Sequence, residues 1–421
     1  MTTIELGYGA NSIAFEYDEA RFELLVPGEW PTGPLSDSEI GDAFENPIES
    51  PVLEDIVAAG DSVLIVVSDA TRATASAQVV NLLVRRLIQA GVSPSDLAII
   101  FATGIHRTPT DDEKRELLTP FIAQRIRTIQ HNASDQSQLV RLGETERGTP
   151  IEVNRALKDH SHVILTGAVG FHYFAGFTGG RKSVCPGLAS AQTIEATHML
   201  ALDFASGGRR AGVAAGQLEG NPVHEECERV TELIAPSFLI NTVVDERGRA
   251  RRVFAGNWRA AHRRACEEYA RWHSQKIEQK RAVVVVSCGG SPYDINLIQA
   301  HKALDMAAHA CIAGGLIVLL AECADGLGRA DFLKWFECPD SRALEQRLCE
   351  TYEVNGQTAW ALLTKTEQFR VRIISKVADA DVQRMRMIPA RTLKEALADV
   401  PPGTIGYLMP RGAAVLPITI N

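Results

Sequence analysis

Short, unbroken apolar runs punctuate the chain at 62–68 (Ser-Val-Leu-Ile-Val-Val-Ser), 97–102, 162–168 and 282–287. Runs of this length, bounded by polar residues or glycine, predict strands buried on both faces, the kind that build parallel sheets. Amphipathic stretches separate them. One follows the first strand and closes at Gly91; another opens with Asp111, Asp112 and Glu113, acids suited to the positive end of a helix. A third covers roughly 191–202. Asn221-Pro222 starts a fourth, with an Asn cap and proline at the first helical position. Residues 1–50 alternate brief apolar runs with Gly and Pro and predict a strand or two followed by loop, without chemistry. Residues 256–280, rich in Ala, Arg and Glu, predict one long, solvated connecting helix.

Past Gln279-Lys280-Arg281 the pattern starts again. A strand at 282–287 leads into Cys288-Gly-Gly-Ser-Pro292, then a helix from about 295 to 313 and strands at 316–320 and 371–375. Two rounds of alternating strand and helix predict two α/β domains with parallel-rich sheets flanked by helices. The 421 residues are also too many for one core. The boundary falls near residue 275, giving an N-terminal domain of 1–274 and a C-terminal domain of 275–421 whose last residues are free to return to the first. In open α/β sheets, ligands gather at the loops leaving the carboxyl ends of strands. The active site is therefore expected in the interdomain cleft.

Charge and cysteine usage narrow the class. A net charge of −9 argues against nucleic acid or an anionic membrane as the main partner. No apolar run approaches a membrane span, and Met-Thr-Thr-Ile-Glu-Leu has neither the basic nor the apolar region of a signal peptide. The eight cysteines are scattered, with no C-x-x-C pair, which speaks against a zinc site or disulfide framework and for a reducing cytoplasm.

Four loops at strand ends carry polar sets: Asp69/Arg72, His106/Arg107, His172/Arg181/Lys182, and Asp294 through Lys302. The third stands out. Six glycines fall within 167–187, interleaved with His172, Tyr173, Arg181 and Lys182. Such a loop brings backbone close to a ligand, and a basic pair beside exposed N–H groups suits an anionic, phosphorylated group. Each set also has a plainer reading. Asp69 fits a helix cap, His106 a turn residue, His198 a satisfied helix histidine and His224 a structural first-turn residue, whereas His172 has to emerge from the glycine loop. Gly176 through Ser183 places lysine and serine as in a nucleotide-binding phosphate loop, but Arg181 occupies the glycine position before the lysine. An ATP-dependent enzyme built on a degenerate phosphate loop is therefore one alternative.

Taken together, the stretches resemble the nickel-dependent lactate racemase family. They are Ser68-Asp69-Ala-Thr71-Arg72, Gly104-Ile-His106-Arg107, Gly170-Phe-His172 with Gly179-Gly-Arg-Lys182-Ser-Val-Cys-Pro-Gly187, His198, Gly220-Asn-Pro-Val-His224-Glu225, and Gly289-Gly-Ser-Pro292 with Asp294 through Leu304. The resemblance implies a racemase or epimerase of a 2-hydroxy acid with a nickel-pincer nucleotide, a pyridinium-3,5-bisthiocarboxylic acid mononucleotide type cofactor. It also implies transient contact with cofactor-synthesis proteins. By the resemblance, His106 and His172 are the alternating acid and base, and Lys182 anchors the cofactor. Asp69, Thr71, Gly179, Gly180 and Arg181 contact the cofactor, His198 binds nickel, and Arg72, Gln299 and Lys302 bind substrate. Ile298 stands where lactate racemases tend to carry tyrosine, and Gly356-Gln-Thr-Ala lacks a His-Lys pair often seen there, so a larger acid than lactate is an allowed substrate. A non-catalytic, cofactor-binding homologue is the second alternative.

Overall fold

The computed structural model of the protein describes residues 1–30 and 32–420. The chain divides into two compact units, one of Met1–Glu29, Leu202–Arg210 and Arg271–Asn421, the other of Trp30–Ala201 and Ala211–Ala270. The expected division placed residues 1–274 together. Instead the first strands, β1 (Thr2–Tyr8), β2 (Asn11–Tyr17) and β3 (Phe22–Leu24), fold with the C-terminal third, because β3 finds its hydrogen-bonding partner there.

In the unit that starts at Trp30, the strands of the main sheet are β4 (Val63–Ser68), β5 (Leu97–Ala102), β6 (Arg127–Ile129), β7 (His162–Ala168), β8 (Phe238–Val244) and β9 (Ala250–Gly256). The helices that bear on the site are α1 (Ser76–Gln89), α2 (Asp111–Arg125), α3 (Ala191–Met199), α4 (Pro222–Glu232) and α5 (Trp258–His273). The strands form one sheet in the order β9-β8-β7-β4-β5-β6, parallel except for the β8–β9 pair. Residues 63–67 and 97–101 are buried along their whole length, which explains the unbroken apolar runs. The chain runs β4, β5, β6 in one direction and then returns to β7 on the other side of β4. That reversal is a switch point, and the loops after β4, β5 and β7 leave the same edge of the sheet side by side.

In the other unit, β10 (Ser274–Ile277), β11 (Arg281–Ser287), α6 (Leu297–Ala308), β12 (Cys311–Leu320), β13 (Arg370–Ile374), β14 (Ile388–Ala390), β15 (Gly406–Met409) and β16 (Leu416–Thr419) follow in turn. The sheet order is β14-β13-β12-β11-β15-β3, parallel throughout. β16 pairs with β10, so the last strand stays in this unit. Two predicted helices are shorter than expected. The one read across 256–280 ends at His273, where the chain turns into β10, and the one read to 313 ends at Ala308, before the long strand β12. Among the described residues no helix is long and apolar enough to cross a membrane.

Candidate active site

The loop after β4 is a turn built on Asp69. Its Oδ1 accepts from the Thr71 backbone N–H at 3.0 Å and the Thr71 hydroxyl at 2.6 Å. Its Oδ2 faces Nδ1 of His106, from the loop after β5, at 2.7 Å. Asp69 is buried while His106 is exposed. Burial alone would raise the carboxyl's pKa. The His106 bond, with the charge of Arg72 and the Thr71 hydroxyl, outweighs it and holds the group at about 2. Asp69 is thus neither helix cap nor exposed contact; it is a carboxylate that orients a histidine.

The β5 loop is tied to the glycine loop, since Gly104 N–H donates to the Gly187 carbonyl at 2.8 Å and Gly187 N–H to that of Lys182 at 3.0 Å. Within the glycine loop, Phe171 and His172 pair with Phe177 and Gly176 as a minute antiparallel ribbon. Its turn throws out Phe174, whose ring gathers three of the sequence-predicted residues. The His172 ring packs edge-on at 4.5 Å, the His198 ring of α3 at 5.1 Å, and the Lys182 Nζ lies 5.5 Å from the ring centre. Asn221, the cap of α4, also donates to the Phe174 carbonyl at 2.9 Å and fixes its position.

Arg181 lies inside this loop and is fully buried. Its guanidinium donates to the carbonyls of Phe177 at 2.9 Å and Ala175 at 2.7 Å, and stands 3.3 Å from His262 of α5. The expectation that Arg181 offers its charge to a cofactor does not fit this geometry; the side chain braces the loop from within. A phosphate loop needs a small residue there, and the buried guanidinium fills the place. Gly180, with φ +55°, has its N–H taken by Asn241 Oδ1 at 3.0 Å, and a Cβ on it would meet His262 at 2.4 Å. Gly179 presses on the same Asn241 side chain. Thr71 and Gly180 therefore spend their donors on the protein itself. Asn241, His262 and Phe174 were not anticipated from the sequence, and Asn221 only as a helix cap. Of the first three, Asn241 alone left a signal, a polar residue in the apolar strand Phe238–Val244.

Electrostatics separate the remaining groups. Burial, then the positive charges of Arg181 and Arg72, lower the Lys182 amine to about 7. Burial and the charge of Lys182 lower His198 to about 3, so its imidazole is neutral. His198 Nδ1 sits 3.4 Å from the Thr197 hydroxyl. Among the described residues no group of three or more His, Cys, Asp or Glu side chains could hold a metal ion. Beside Arg72, a groove of about 440 Å³ runs along the start of α1, lined also by Thr74, Ser76, Glu113, Arg247 and Arg249. Arg107 is engaged by Glu113, at 2.5 Å, and His224 is buried beside Glu228 at 3.5 Å. In the other unit, Gln299 and Lys302 are neighbours on the first turns of α6, Nζ donating to Oε1 at 2.5 Å.

These features define an α/β protein with a carboxylate-backed histidine at a sheet switch point and a glycine loop carrying a second histidine and a half-buried lysine. Residues 8–207 match the lactate racemase N-terminal domain and residues 277–402 the lactate racemase C-terminal domain, and the chain belongs to the lactate racemase family. It is 29% identical to the lactate racemase of Thermoanaerobacterium thermosaccharolyticum over 414 residues, 94% of each chain. To that of Lactiplantibacillus plantarum it is 28% identical over the same length and share. The solved lactate racemase apoprotein from T. thermosaccharolyticum superposes with a TM-score of 0.90 at 27% identity, covering 99% of this chain and 100% of that one. A Thermotoga maritima protein shares the fold, with a TM-score of 0.70 at 19% identity over 94% of this chain and 100% of its own.

Proposed function

We propose that the protein interconverts the stereoisomers of a 2-hydroxy carboxylic acid, lactate or a related larger acid, using a nickel-pincer nucleotide. The observation that carries the proposal is the pairing, in a chain of this family, of Asp69-backed His106 with a loop that gathers His172, Lys182 and His198 around Phe174. The α-hydrogen of a hydroxy acid is poorly acidic beside a carboxylate, so removal as a proton is unfavourable. When bound, the cofactor supplies an electrophilic acceptor for that hydrogen and its electron pair.

The donor set fits such a group. His198, a buried and neutral imidazole, would be the protein's donor to a metal whose other donors an organic ligand would supply. Lys182, with its amine lowered to about 7, is substantially unprotonated at neutral pH and is nucleophilic enough to anchor an acyl-type group. Arg72 and the arginine-lined groove beside it suit the nucleotide's phosphate or the substrate's carboxylate. Asp69, Thr71, Gly180 and Arg181 act on these groups by holding them in place, with Gly179 packed against the same support. His106 and His172 exchange the hydroxyl proton of the two stereoisomers, and Gln299 and Lys302 supply further polar contacts to the substrate. On this reading the protein would work in the cytoplasm, served by cofactor-synthesis proteins.

The test is a chiral assay on protein co-expressed with the cofactor-making enzymes. Pure L- or D-lactate, and then larger 2-hydroxy acids, should drift to the racemate with at least one of them. No stereochemical exchange across the panel, from protein carrying cofactor, would leave the non-catalytic reading in its place.

A further inference from the structure

His106 and His172 are held by opposite kinds of partner. His106 Nδ1 faces a carboxylate oxygen at 2.7 Å, an acceptor only, so this nitrogen carries a proton and Nε2 is left bare. His172 Nδ1 accepts from the backbone N–H of Ala175 at 3.2 Å, so this nitrogen is unprotonated and the ring's proton sits on Nε2. We infer that the two histidines are not interchangeable: the protein presets His106 as proton acceptor and His172 as hydrogen-bond donor, and fixes this by their Nδ1 partners. The inference rests on the acid–base roles given under Proposed function.

The consequence is a directed first step. With the hydroxyl at His106, the substrate O–H bond breaks, a bond forms between the proton and Nε2, and the electron pair stays on oxygen. The imidazolium charge so formed lies against Asp69. His172 meanwhile donates through Nε2 and needs no rearrangement. For His172 to accept a proton at Nε2, its own proton must first pass to Nδ1, where the Ala175 N–H now points, and that bond must be given up. One stereoisomer is thus met by a ready base and the other by a ring that must first leave its anchor. Asp69 is a positioning residue here. Because both Thr71 donors hold Oδ1, the carboxamide of Asp69→Asn would keep its oxygen there and turn its NH₂ toward His106, inverting that tautomer without moving the ring.

Long-range proton–nitrogen NMR of the imidazoles tests this on the ¹⁵N-labelled full-length protein, at a pH where both rings are neutral. Signals are assigned by loss in His106→Gln and His172→Gln. The expected spectrum has the proton on Nδ1 in His106 and on Nε2 in His172, and Asp69→Asn moves only the former to Nε2. In the loaded enzyme, Asp69→Asn is expected to lose about 10³-fold or more in kcat, as tautomer inversion does in hydrolase triads. The same tautomer in both rings, or His172 protonated on Nδ1, overturns the inference, and the wild-type spectrum decides it even if the variant does not fold. Opposed tautomers in a protein that exchanges no stereochemistry would sustain the preset geometry and sink the racemase reading instead.

Discussion

The ring of Phe174 stands 5.1 Å from the imidazole of His198, edge to face, while its other contacts seat His172 and Lys182. One apolar side chain therefore sets the spacing of His172, Lys182 and His198, the residues proposed above as second acid–base group, cofactor anchor and metal donor. Phe174→Leu keeps most of the buried volume but loses the aromatic edges. Each such pair is worth about 1 kcal/mol, so kcat should fall roughly tenfold with a Tm change of a few degrees at most. Steady-state kinetics beside thermal unfolding check it, and a variant as active as wild type would deny the ring this role.

Arg181 should matter to the fold of the loop before it matters to chemistry. Arg181→Met strands the Ala175 and Phe177 carbonyls, at about 1–3 kcal/mol each. Arg181→Lys should not restore stability, since an ammonium cannot span both acceptors as the planar fork does. Urea denaturation of the two variants measures this directly, and an unchanged midpoint would contradict it.

Lys182 makes stability depend on pH in a predictable direction. Its amine is lowered from 10.5 to about 7 in the fold, chiefly by burial. Between those values the unfolded chain binds the extra proton, so stability rises with pH across that window, and below about 7 the penalty is constant. Lys182→Met should therefore be more stable than wild type at pH 7, with the advantage shrinking toward pH 10. A difference independent of pH would mean an ordinary lysine.

The architecture was legible because strands buried on both faces leave unbroken apolar runs, as in Val63–Ser68 and Leu97–Ala102. Asn221 announced its helix by a cap that depends only on local sequence. The strand Phe22–Leu24 was harder to place, because what decides its unit is a pairing with Gly406–Met409, nearly the whole chain away. At the site, sequence named His106, His172, Lys182 and His198 but could not assign what holds them. Asp69 reads as a helix cap, and its tie to His106 exists only because β4 and β5 are neighbours in the sheet. Arg181 reads as a free charge beside Lys182; only the fold turns it inward.

The most direct test of a bound nickel cofactor is intact and denaturing mass spectrometry with nickel analysis, on protein co-expressed with the pincer-synthesis enzymes. An added cofactor mass and about one nickel per chain are expected, the count that a single imidazole donor implies, both lost in His198→Ala and Lys182→Ala while the fold survives. A clean polypeptide mass without nickel, from cells where the synthesis enzymes are active, would contradict it.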